Sequence, residues 1–300
     1  MELQEKGVDM HRSKWLMLAL SAGLMFLTTG CAKLQSRDEM NKGVQAYRNN
    51  KYSDAVNHFK QAVQLDPTNQ NAQLYLATSY MIQWVPGADS PDNKKNYDAA
   101  QAEFKKVLQT DPKNGLALAS MASMAYNSAT AGTQEQKASA LEEARRWNQK
   151  RMEVDPKDPE PYYYLGVINY DLAYQPIVSA RVAAHMTATD PGPIKEAKPT
   201  RSKGGKGGEG GPEGVREELK AKYEKLIDDG IKDLKECLQR DKENEDAMSY
   251  INLLYRMKAN LEDSPDQAKA DVAQAEDWFN KAMDMKRIKA TRAPKKTAAS

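Results

Sequence analysis

One spacing, repeated along the chain, constrains the fold more than any other feature. It runs Tyr, then Ala three on, Phe four further, Ala or Val three further, and Pro five after that. Tyr52, Ala55, Phe59, Ala62 and Pro67 fill it first, and Tyr97, Ala100, Phe104, Val107 and Pro112 fill it again. Beyond residue 30 the chain has three Phe, at 59, 104 and 279, and all three fall on the same slot. Ala55, Phe59 and Ala62 lie at i, i+4 and i+7, which is one face of a helix. The small residues let a second helix approach, and Phe fills the gap between neighbours. Proline lacks an N–H and clashes one turn back, so each helix must stop before it. Asp66, Asp111 and Asp155 precede those prolines and are pushed out of the α region. A single unit of this kind cannot bury its own apolar face, so neighbours must stack.

Three weaker units follow. The third holds Ala122, Ala144 and Pro156. The fourth opens with Tyr162, Leu165 and Gly166 and closes with Leu234, Cys237 and Lys242, where Pro is expected. The fifth holds Ile251, Tyr255, Ala275, Phe279 and Ala282. Gly43 lies upstream in the first unit, and Ala77 with Tyr80 in the second. This frame resembles the tetratricopeptide repeat, a helix–turn–helix of about 34 residues, over roughly residues 36–288. The resemblance implies an all-α fold, a right-handed α-solenoid of about five repeats near 36–69, 70–114, 115–158, 159–244 and 245–288. It also implies that the frame residues form the repeat core and that the first helix of each repeat lines a concave face.

Four units exceed the 34-residue length, and the excess is placed between the two helices of each. It is about 11 residues in the second unit (84–96), about 10 in the third, about 11 in the fifth and about 52 in the fourth. Such excess means either longer helices with drifted loops or a second docking edge. Residues 175–214 are expected to form a flexible insertion, because eight Gly lie between Gly192 and Gly214 and five Pro between Pro176 and Pro212. Residues 177–187 can form a short helix within it. Gly205 to Gly210 matches G-x-G-x-x-G, but no strand or βαβ pattern surrounds it, so it is no dinucleotide motif. Residues 289–300 are expected to be a basic, disordered tail; from Lys286 onward there are six Lys/Arg and no acid.

The first thirty residues read as an address. His11, Arg12 and Lys14 precede thirteen uncharged residues, Trp15–Leu27. A membrane span needs about 20 such residues, whereas a short run after a basic start fits a secretory signal. Glu2, Glu5 and Asp9 are unusual in such a leader, and Met10 is an alternative start. Thr28-Thr29-Gly30-Cys31 resembles the bacterial lipobox, with Thr28 where Leu is usual and Leu27 one place earlier. The resemblance implies cleavage before Cys31, diacylglycerol on its sulfur and a lipidated linker over 31–35. By the same resemblance, Ala32 after the Cys implies the periplasmic side of the outer membrane, so the expected location is the bacterial cell envelope.

The remaining composition narrows function. Lys+Arg 44 against Asp+Glu 42 leaves a net charge of +2, without the basic excess of a nucleic-acid binder. Two Cys exclude a disulfide scaffold, and the three His show no metal-ligand spacing. Cys237 takes the slot of Ala62 and Ala282 and reads as a packing residue. No catalytic motif, metal site, cofactor or small-molecule substrate is expected, and an enzyme is not.

Function is therefore expected in the groove. The resemblance places Met40, Val44, Tyr47, Leu74, Thr78 and Met81 on its lining. Ala119, Ser123, Tyr126, Tyr163, Val167 and Tyr170 continue it, followed by Ser249, Leu253 and Arg256. Chaperone-binding members of the family carry a Lys/Asn/Arg clamp; here Met40 and Val44 occupy two of its slots. A groove of Tyr47, Met81, Tyr126, Tyr163, Tyr170 and Arg256 suits an extended or helical partner segment with apolar side chains, since Tyr offers area at low entropic cost and Met adapts. The same tyrosines could instead pack between helices. Two classes follow. One is a scaffold that binds an envelope protein or peptide. The other is a structural lipoprotein touching peptidoglycan or anionic lipid through the basic tail and the Gly/Lys-rich insertion.

Overall fold

The computed structural model describes residues 31–130, 132–187, 190, 192–196 and 214–292. Among them are ten α-helices and no strand. These are α1 (31–48), α2 (Tyr52–Leu65), α3 (Gln70–Met81), α4 (Pro91–Thr110) and α5 (Gly115–Ser128). Then come α6 (Gln134–Val154), α7 (Pro159–Ala183), α8 (Val215–Arg240), α9 (Glu245–Ala259) and α10 (Pro265–Arg292). The odd-numbered helices are the first of each hairpin, the even-numbered the second. The expected leader, with the lipobox-like residues before Cys31, lies outside the described residues, as do 197–213 and 293–300. No described helix is long and apolar enough to cross a membrane.

The chain divides between Ser120 and Met121 into two compact units. In the first, α1 and α2 are locked at mid-length. A Cβ on Gly43 would lie 2.6 Å from Phe59 Cε1, so only glycine lets the ring in. Phe59 is fully buried and stacks on Tyr75 of α3 at 5.3 Å. Ser36 Oγ donates to the Ala62 carbonyl at 2.8 Å, tying the start of α1 to α2. In the second unit the lock recurs between α7 and α8. A Cβ on Gly166 would lie 2.3 Å from Leu234 Cγ, so Leu234 fills the Phe slot of the fourth repeat. Ala55, Ala62, Ala100, Phe104, Ala144, Leu165, Ala275 and Ala282 are all buried as the repeat frame requires.

Helices stop where the prolines dictate. Asp66, Asp111 and Asp155 have ψ of 88°, 85° and 91°, outside the α region. Pro67, Pro112 and Pro156 follow on exposed turns. Asp241 takes the same conformation, with ψ of 90°, although Lys242 replaces Pro. What the four turns share is a capping residue three positions on. Asn69, Asn114 and Asn244 accept from the backbone N–H of Ala72, Ala117 and Ala247, and Asp158 from Glu160. Such caps satisfy the orphan N–H groups of the next helix.

Five sequence expectations need correction. Residues 31–35 are helical, not a linker, because Cys-Ala-Lys-Leu-Gln contains no breaker and runs into α1. The excess length sits not between the helices but mostly in the second helices, in line with the reading of longer helices: α4, α6 and α10 begin six or seven residues before the repeat frame, leaving connections of 9, 5 and 5 residues. Start signals explain this: Ser90 before Pro91, and a capping box between Thr133 and Gln136. Within the expected insertion 175–214, residues 175–183 continue α7 through Pro176, and Ala184, Met186 and Ile194 are buried against the same core. Within the expected tail, 289–292 complete α10, where Lys289 pairs with Glu245 and Arg292 with Glu243. Last, Phe279 is 48% exposed, because no described element follows α10 to cover it.

Candidate functional site

In the second unit, the part of α5 from Met121 onward, α7 and α9 present a connected run of tyrosine rings. Tyr126 of α5 lies 6.0 Å from Tyr164 of α7, and Tyr164 lies 5.4 Å from Tyr163. Tyr163 meets Tyr250 of α9 at 5.9 Å, Tyr250 meets Tyr170 at 5.5 Å, and Tyr170 meets Tyr174 at 5.2 Å. All but the last pair are edge-to-face, the arrangement that the ring quadrupole favours, each worth about 0.5–1.5 kcal/mol beyond area burial. The helical period explains the pattern. Tyr163, Tyr170 and Tyr174 fall at i, i+7 and i+11 on α7, and Tyr250 of α9 inserts between the first two.

Tyr126, Tyr163, Tyr164, Tyr170 and Tyr250 are half-buried and Tyr174 is exposed, so the run both packs between helices and reaches solvent. Burial is the leading cause that raises the phenol pKa of Tyr126, Tyr163 and Tyr250, and of Tyr170, which reaches about 12. At one end, the Tyr126 hydroxyl donates to Asp171 Oδ2 at 2.9 Å. Burial raises the Asp171 carboxyl pKa, and the bond from Tyr126 opposes that rise. The neutral hydroxyls therefore serve as hydrogen-bond groups at physiological pH, not as bases.

At the other end the ring run opens into a cleft of about 720 Å³. Tyr170, Tyr174, Ile177 and Arg181 of α7 form one wall; Leu253, Arg256 and Met257 of α9 form the floor, and Val272 and Glu276 of α10 the far side. The segment after α7 closes it. Arg181 donates to Asn260 Oδ1 and to the carbonyls of Thr187 and Asp190, and the Ile194 N–H donates to the Asn260 carbonyl at 2.9 Å. Arg256 is exposed, with its Nε bonded to Asn252 Oδ1 at 3.0 Å. Both guanidinium groups thus bond to neutral acceptors at the edge of an apolar hollow. Among the described residues no cluster of His, Cys, Asp or Glu could hold a metal ion.

The residues singled out from the sequence divide accordingly. Tyr126, Tyr163 and Tyr170 belong to the ring run, and Leu253 and Arg256 to the cleft. Val167 is buried core, not lining: it shares the face of α7 that carries Tyr163 and Tyr170, but its shorter side chain is covered where their rings are only half-buried. Tyr47 and Met81 belong to the first unit. There Tyr47 packs edge-on to Tyr52 at 5.3 Å and Met81 ends α3, half-buried. Tyr164, Tyr174, Tyr250 and Asp171 were not singled out. Tyr250 was legible, one place after Ser249 of the groove frame, but the frame weighs only one slot per turn.

Paired hairpins with a glycine lock and an Asp-x-x-Asn turn define an all-α helical-repeat fold of tetratricopeptide type. Residues 40–69 match the tetratricopeptide repeat family. No curated protein sequence matches the chain. Among solved structures, MamA from residue 41 to its end, from Desulfovibrio magneticus RS-1, aligns over 85% of this chain and 96% of its own, with 13% identity and a TM-score of 0.50. A MamA RS-1 ArsTM double mutant gives the same coverage and identity with a TM-score of 0.51. At that identity the likeness concerns the fold alone.

Proposed function

We propose that this protein is a non-enzymatic scaffold that captures a partner segment on the tyrosine run of α5, α7 and α9, with the segment's end seated in the adjoining cleft. The observation that carries this reading is the continuous ring run, which ends in an apolar hollow edged by Arg181 and Arg256. Half-buried tyrosines offer rigid area with a polar tip, the composition favoured by surfaces that bind other proteins. The partner that fits is an extended or helical segment with apolar side chains. The lipobox-like Cys31 further leads us to place the scaffold on a lipid anchor at the bacterial cell envelope, on the periplasmic side of the outer membrane, in envelope assembly or secretion.

A displayed random-peptide library panned on the purified protein tests the site. Enriched peptides should carry apolar or aromatic anchors, and Tyr126→Ala with Tyr170→Ala should weaken them at least about tenfold. Peptides that bind the double variant unchanged would place recognition elsewhere. The alternative, a structural lipoprotein touching peptidoglycan or anionic lipid through its basic end, has less support. Of the six basic residues from Lys286 onward, Arg287, Lys289 and Arg292 already pair with Asp284, Glu245 and Glu243.

A further inference from the structure

The second helix of each repeat carries a stripe that receives the next hairpin. On α2 it starts at the position of Tyr52 and runs through Val56, Phe59 and Val63, which share a core with Leu76 and Tyr80 of α3. On α8 it is Ile227, Ile231, Leu234 and Leu238, which share a core with Ile251 and Leu254 of α9. The same register on α10 gives Val272, Glu276, Phe279 and Met283, and continues to Lys286 and Ala290. Here the stripe is open: Phe279 is 48% and Met283 37% exposed.

We infer that this stripe is a homodimer interface, in which α10 packs antiparallel against α10 of a second copy of this chain. The steps along it alternate four, three, four, three, four, which is the spacing of a coiled-coil seam. Run antiparallel about a two-fold axis level with Lys281, the stripe complements itself. Phe279 meets Met283 of the second copy, Glu276 meets its Lys286, and Val272 meets its Ala290, so the second copy also borders the far side of the cleft that Val272 and Glu276 line. The charges support this register independently. Among the charged residues from Glu276 to Arg292, all but Glu276 and Lys286 already make an ion pair within the described chain. The two without one are those that the two-fold brings together, on either side of an apolar centre. Opposite charges so placed fix register and orientation.

The stripe is about 27 Å long at 1.5 Å per residue, so one helix pair forms the contact and a micromolar dimer is expected. Sedimentation equilibrium of the purified full chain reads it. Wild type should show a monomer–dimer equilibrium, and Phe279→Glu should raise Kd at least about tenfold. Glu276→Lys alone and Lys286→Glu alone should each give monomers, because each places like charges opposite one another twice. Mixing those two variants should restore a dimer, since every contact is then opposite in charge. Circular dichroism verifies that each variant is folded. A wild-type monomer at about 100 µM would overturn the proposal. So would a dimer that ignores all three substitutions, or folded single variants that do not recombine.

Discussion

Asp233 on α8 is a partly buried carboxylic acid one turn from Asp229. Burial first, and then the charge of Asp229, raises its pKa from 3.8 to about 6. The sign follows from linkage. The folded chain holds a proton that the unfolded chain releases near 4. Folding is therefore unpenalised below the unfolded pKa and loses stability as pH climbs toward 6. Asp233→Asn should raise the melting midpoint at pH 7.5 and leave it unchanged at pH 3.5; thermal denaturation followed by circular dichroism measures both. Asp271 shifts in the same direction, to about 6, again chiefly through burial and against the opposing charge of Lys258. Cys237 is fully buried where the sequence frame put a small packing residue, and burial pushes its thiol up to about 11. Single residues were legible where the frame assigned a slot that packing then filled, as at Cys237, Ala144 and Leu165. Phe279 was misjudged, because a slot states what a residue can pack against and not whether a neighbour is present.

At the scale of elements, the glycine locks decide how hairpins align. Gly166→Ala would drive a methyl to 2.3 Å from Leu234 Cγ and should cost about 1–3 kcal/mol of stability through overpacking. Leu234→Ala alone should cost about 2–5 kcal/mol through the cavity it leaves. If the two side chains share one space, the double variant loses less than the sum. Urea unfolding of the four proteins measures that coupling, and additive losses would show that the contact does not align the helices. The second helices were harder to delimit from sequence. Stretches such as 91–96 lack strong apolar residues and read as loop, yet Ser90, the capping box at Thr133 and Pro91 start helices there. Polar residues on an exposed first turn form helix without leaving a hydrophobic signature. The tyrosine run was half legible for a related reason. Tyr126, Tyr163 and Tyr170 lie on the period of a single helix, whereas the place of Tyr250 depends on how α9 packs on α7, which no period records.

At the scale of the whole molecule, the repeat architecture follows from the frame, but the envelope address rests on resemblance around Cys31. That sets the prediction proper to this scale. Mature protein should carry a diacylglyceryl group on Cys31 and partition with membranes, and Cys31→Ser should lose both; intact mass and fractionation measure them. Soluble, unmodified wild type would remove the anchor and leave the repeats untouched. The lock between Gly166 and Leu234 has a further consequence. It fastens the first third of α7 to the last quarter of α8, far from the connection that runs from Ala184 to Gly214. Alignment of the two helices is thus set by their shared face and not by the tether between their tips. Lengthening a tether costs little, growing only with the logarithm of its length. For an evolving lineage, that makes added length in the connection a low-risk change, provided Ala184, Met186 and Ile194, which are buried against the repeat core, are kept.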